Sequence, residues 1–178
     1  VSLHHALGVA IARAAAPADV KFGLMKRGLL AEEGSAADVG VGVLAGLKVE
    51  AGERGADWVR DVWRQAIDET WGEGAEVRVV HQLPPTAATW AAIAERSASL
   101  SDAYWKSLGV YWIPDDSDAQ LVADRLIAVG RARGAVSWLG SIVDKAPPPG
   151  ELLVRALTAA AKSDEPLEGN DATMFSYY

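Results

Sequence analysis

Residues 117–147, SDAQLVADRLIAVGRARGAVSWLGSIVDKAP, decide the fold. Ser117 and Gln120 have the spacing of a capping box, which satisfies two orphan backbone N–H groups at a helix start. Val122, Leu126 and Val129 then form an apolar stripe at helical spacing, and Gly130 ends the helix. Ala135, Leu139 and Ile142 face back from a second helix, while Ala123 and Ala135 are small enough to let two backbones approach. The stretch predicts two packed antiparallel helices. It implies an all-α fold of antiparallel helical hairpins, either a short α-solenoid or an irregular helical bundle.

Working outward, periodicity and punctuation predict about eight or nine helices. The first runs from Leu3 to Ala15 and stops before Pro17, which would break it. Asp19 caps the second, to Ala31, and Ser35 with Asp38 opens a third that lasts to Ala51. The fourth, Ala56 to Trp71, carries Val59, Val62, Trp63, Ala66, Ile67 and Thr70 on one face, with Arg64 and Asp68 spaced to pair on the other. Residues 73–85 read as an extended connector in which Val77, Val79 and Val80 suit a short strand. Pro84 and Pro85 start the next helix, through Arg96, and Ser99 with Asp102 opens a shorter one. A bend at Ile113–Pro114 precedes the hairpin, and a helix from Gly150 to Lys162 follows Pro147–Pro149. The organisation predicted is an N-terminal helical subregion over 1–72, a connector over 73–85, and a C-terminal helical subregion over 86–178 that contains the hairpin 117–147.

Composition narrows the function. Half of the 178 residues are apolar, too many for a disordered chain. A formal charge of −7, with no lysine or arginine run, disfavours a nucleic-acid partner, because phosphate binding needs a basic face. There is no cysteine, so disulfides, thiolate chemistry and Cys-type zinc sites are excluded. The first segment lacks a basic n-region and Arg13 interrupts it, which reads as an amphipathic helix and not a signal peptide. Val39–Leu47, with Gly42 and Gly46 four residues apart, is far shorter than the ~18 apolar residues that span a bilayer. We expect no membrane segment and a cytoplasmic location. The chain begins inside a helical pattern and ends in ATMFSYY, an amphipathic pattern cut short, so a piece of a longer protein is expected.

No nucleophile elbow, P-loop, zincin motif or dinucleotide-binding glycine pattern occurs, and no carboxylate pair is nominated; no catalytic residue, cofactor or metal is expected. His4 and His5 diverge by about 100° on a helix and cannot serve one metal together. Asp115, Asp116 and Asp118 hint at a calcium loop but lack its glycine and glutamate; acids at a helix start explain them better. Arg125, Arg131 and Arg133 cluster at the hairpin turn, where as partner-binding residues they either hold an acidic partner segment or a phosphate, or are simply solvated.

The seven tryptophans carry more information. Trp63 and Trp138 lie on apolar faces and belong in the core. Tyr104, Trp105, Tyr111 and Trp112 form a dense patch, YWKSLGVYW. Such density usually fills gaps between helices; any exposed part of it is the best partner-binding spot in the chain.

The hairpin resembles the tetratricopeptide unit. Ala123, Gly130, Ala135, Leu139, Ile142 and Pro147 stand at matching spacings, with Ala119 and Leu126 departing from the pattern at its aromatic positions. LPPTAATW, DAYWKSLG and GRARGAVSWL together resemble the degenerate helical regions of large bacterial multidomain proteins. The resemblance implies a scaffold or signal-relay segment whose partner is a protein or another domain of the parent chain, and it brings no catalytic residue. The alternatives are a small-molecule-binding regulatory domain with a pocket near Trp105–Trp112, and an enzyme with a carboxylate pair on facing helices.

Overall fold

A computed structural model describes residues 2–165. Among them the chain is all-α, and it divides into two compact units, Val1–Pro84 and Pro85–Tyr178. The pattern ATMFSYY lies outside the described residues.

The first unit holds α1 (Leu3–Arg13), α2 (Ala18–Leu29), α3 (Ser35–Glu50), α4 (Gly55–Asp68) and α5 (Glu73–Val80). Its centre is α3, which packs on both α1 and α2. Glycine makes this possible. A methyl group on Gly42 would collide with the His5 carbonyl oxygen and sit 3.0 Å from the Gly8 Cα; one on Gly28 would lie 2.5 Å from the Gly40 Cα. The two crossings therefore bring backbone against backbone, and the small-residue spacing of Val39–Leu47 serves packing between helices of one chain. α4 follows the predicted stripe, with Val59, Val62, Trp63 and Ala66 buried. Arg64 pairs with Asp61 at 2.6 Å and not with the expected Asp68, one turn the other way.

Residues 73–80, expected to be extended, form α5. The three valines carry strand propensity, but Ala75, Glu76, Val79 and Val80 recur at helical spacing and are the residues that become buried. Tertiary burial overrides local propensity here. The buried Glu76 carboxylate accepts the Trp63 indole N–H at 3.2 Å. Arg78 reaches across to the end of α2, donating to the carbonyls of Leu29 (2.7 Å), Ala31 (2.6 Å) and Glu32. A helix end leaves these acceptors without intrahelical partners, and a guanidinium supplies them.

The second unit holds α6 (Ala87–Arg96), α7 (Ala98–Ser107), α8 (Ala119–Ala128), α9 (Ala132–Ile142) and α10 (Gly150–Ala161), with a 3₁₀ turn at Val110–Trp112. α8 and α9 form the predicted hairpin: Val122, Ala123, Leu126, Ala135, Leu139 and Ile142 are buried, and Gly130 turns the chain at φ +84°. α10 packs against both helices. The caps are shifted from their predicted positions. Asp118, not Ser117, accepts the Leu121 N–H at 3.0 Å, and Gln120 instead donates to Asp124. Ser97, not Ser99, caps α7 by accepting the Leu100 N–H. Gly34 stands at the N-cap of α3 where Ser35 was expected, and Pro17 at that of α2 in place of Asp19; neither makes a side-chain cap bond.

Candidate interaction surface

The patch YWKSLGVYW divides between core and surface. Tyr104 and Trp105 continue the apolar phase of α7 and are 1 % and 2 % exposed. Trp105 stacks at a tilt on Trp90, with centroids 5.0 Å apart, and meets Tyr104 edge-on at 6.0 Å. Burial pushes the Tyr104 phenol above its ordinary pKa, with the neighbouring Trp90 side chain acting weakly the other way. These two residues are structural.

Tyr111 and Trp112 lie beyond the end of α7, in the 3₁₀ turn, and are 81 % and 68 % exposed. Their rings are 5.6 Å apart and tilted by 49°. Two large aromatics in water oppose the hydrophobic effect unless the backbone holds them there. Here it does. Leu108 and Ile113 on either side of the turn are buried. A methyl group on Gly134 of α9 would touch the Val110 side chain at 3.3 Å, so the turn lies directly on that helix. The Trp138 indole N–H reaches the Ile113 carbonyl at 3.4 Å. Arg131 donates to the carbonyls of Trp105, at 3.0 Å, and Leu108.

Of the three arginines at the hairpin turn, two are therefore turned onto their own chain. Arg131 closes the end of α7. The Arg133 guanidinium donates to the carbonyls of Glu165 and Ser163, and its backbone N–H, in the first turn of α9, donates to the Glu165 carboxylate at 2.7 Å. Arg131 and Arg133 are thus engaged within the chain itself. Arg125 is exposed on α8, apart from that network.

Asp115, Asp116 and Asp118 follow the aromatic turn. Asp118 caps α8, Asp115 pairs with Lys145, and Asp116 is exposed. Their positions fit a helix start, and among the described residues no group of three or more acids and histidines could hold a metal ion. His4 and His5 lie on α1; His81, at the end of α5, is pushed down to a pKa of about 4 by burial.

Trp105 is sealed in the core and Trp112 stands in solvent, so the two rings do not face one enclosed space together. An apolar cleft of about 400 Å³ lies instead in the first unit, lined by Ala18, Asp19, Phe22, Leu47, Ala51 and Trp58. Helical periodicity gave no hint of it, because its lining comes from α2, the end of α3 and the start of α4. No helix among the described residues is long and apolar enough to cross a membrane. Compared with protein-family models, curated proteins and solved structures, the chain matches none.

Proposed function

We propose that this chain is a protein-interaction segment, an all-α scaffold that offers the Tyr111–Trp112 pair to a partner. One observation carries this: two large aromatics are 81 % and 68 % exposed on a turn whose flanks are buried and whose preceding helix end is held by Arg131. Aromatics of this kind dominate binding energy at interfaces, and a turn already ordered before binding loses little entropy when a partner arrives. The segment acts by binding and not by bond chemistry. It works inside a longer bacterial cytoplasmic protein, with α8 and α9 as a tetratricopeptide-like unit of its frame. Support for that unit comes from Ala123 and Ala135, its two small-residue positions, both fully buried. Arg125 is exposed on the same hairpin.

A second reading, a small-molecule-binding regulatory module, is favoured by the apolar cleft between Phe22, Leu47 and Trp58. The interaction role is tested by cross-linking. A photo-cross-linking amino acid is placed at position 112, and at Thr158 on α10 as an exposed control, in the source cells. A discrete protein adduct at 112 and not at 158 is expected. No adduct at either position, or equal adducts at both, would overturn the interaction role.

A further inference from the structure

Building on that interaction role, we infer that the partner of the Tyr111–Trp112 turn is a basic peptide segment, with an arginine or lysine laid over the aromatic faces and its neighbours against Asp115 and Asp116. Between Gly109 and Asp118 the chain carries three aspartates and no basic residue. Asp115 and Asp116 are both exposed. The partner of Asp115, Lys145, is itself 66 % exposed, so that pair is exchangeable with an incoming cation. Arg131 is committed to the carbonyls of Trp105 and Leu108 and makes no ion pair with the aspartates of the rim.

The ring geometry suits cations. With the planes tilted by 49°, the rings do not lie face to face in one stack; both lie against the Gly109 backbone, and the ring surface left in solvent can accept a guanidinium or ammonium. An uncharged amphipathic helix needs a continuous apolar floor, and the residues that would extend one, Leu108 and Ile113, are buried. Nucleic acid would also stack on exposed aromatics, but it requires a basic groove, and three aspartates repel phosphate. Anionic lipid is repelled in the same way.

The test uses the full chain labelled with ¹⁵N, following the amide resonances of residues 109–118. Three peptides of equal length are titrated, alternating Arg–Ala, Glu–Ala and Leu–Ser, together with an oligothymidylate and phosphatidylserine vesicles. Only the Arg–Ala peptide is expected to shift the turn. Its affinity should fall about tenfold in Tyr111→Ala and again in Asp115→Asn/Asp116→Asn, and should weaken as salt is raised. Both variants alter exposed side chains, and unchanged thermal unfolding confirms their fold. Shifts with the Leu–Ser peptide, the oligothymidylate or the vesicles in place of the Arg–Ala peptide would overturn the cationic specificity. So would an Asp115→Asn/Asp116→Asn variant that binds as tightly as the parent, or no shift with any probe. The interaction role stands or falls separately, on the cross-link at position 112.

Discussion

The Arg131 side chain at the start of α9 donates to the Trp105 carbonyl oxygen of α7 at 3.0 Å, and the same nitrogen donates to the Leu108 carbonyl. Arg78 plays the matching part in the first unit, on the carbonyls of Leu29, Ala31 and Glu32. Each unit thus closes one helix end with an arginine from a distant helix. In the second unit that closure also fixes the direction in which the chain leaves α7, and so the direction of Tyr111 and Trp112.

Removing either arginine leaves two or three carbonyls short of a charged donor. Arg131→Ala and Arg78→Ala should each destabilise the protein by about 2 kcal/mol, read from urea midpoints. Lysine should recover only part, because an ammonium is a compact charge without the planar fork that bridges neighbouring acceptors. Equal stability of Arg131→Ala and the parent would refute the closure.

Glycine substitutions should go in opposite directions depending on what the added methyl meets. Gly42→Ala drives a methyl into the His5 carbonyl and the Gly8 backbone, and should cost about 2–3 kcal/mol even though alanine favours helix. Gly23, inside α2, has nothing within 4 Å of an added Cβ. Gly23→Ala should stabilise by about 0.5–1 kcal/mol. Thermal midpoints of the two variants on opposite sides of the parent are the expected result.

The ends of α4 and α8 share one motif with different residues. Trp71 N–H bonds the Ala66 carbonyl at 2.9 Å, and Arg131 N–H bonds the Leu126 carbonyl at 2.8 Å, the six-to-one closure of a Schellman turn. The left-handed position is Gly130 in one case and Thr70, at φ +51°, in the other. A β-branched residue there is strained. Thr70→Gly should therefore stabilise by about 1 kcal/mol and Gly130→Ala should destabilise by about the same, measured by denaturant unfolding.

His81 gives a dependence on pH. Burial holds its folded pKa at about 4, below the ordinary 6.5. Between those values the unfolded chain takes up a proton that the folded chain refuses. Stability is unaffected by this group above about pH 6.5, declines as pH falls, and levels off below about pH 4, by roughly 3 kcal/mol in all. His81→Gln should flatten that slope. The Glu69 carboxylate, held at about 2 by hydrogen bonds from Lys26, Gln65 and Trp71, contributes stability that is complete above about pH 4.5 and is lost as pH falls from there towards 2. The two windows therefore barely overlap.

Much of the fold was legible because its helices announce themselves by spacing. α4 and the α8–α9 hairpin show their buried faces in the sequence, and Trp63 and Trp138 reached the core as expected. α5 was not legible, since three valines in four residues mimic a strand and only packing onto α4 and α2 reveals the helical phase. Caps slipped by one or two residues where several oxygens compete, as at Ser117 and Asp118 or Ser97 and Ser99. The site was half legible. Residues 104–112 read as one aromatic patch, yet Tyr104 and Trp105 keep the phase of α7 while Tyr111 and Trp112 fall in a 3₁₀ turn with no periodicity to read. The inward course of Arg131 depends on a contact across 26 residues and has no local signal.

The most direct test of the account is the backbone dynamics of Tyr111 and Trp112 by ¹⁵N relaxation, combined with water exchange at the Trp112 indole N–H. An ordered, presented pair predicts order parameters of about 0.85 at both residues together with rapid exchange of the indole proton. Order parameters below about 0.6, or an indole proton protected from water, would contradict it.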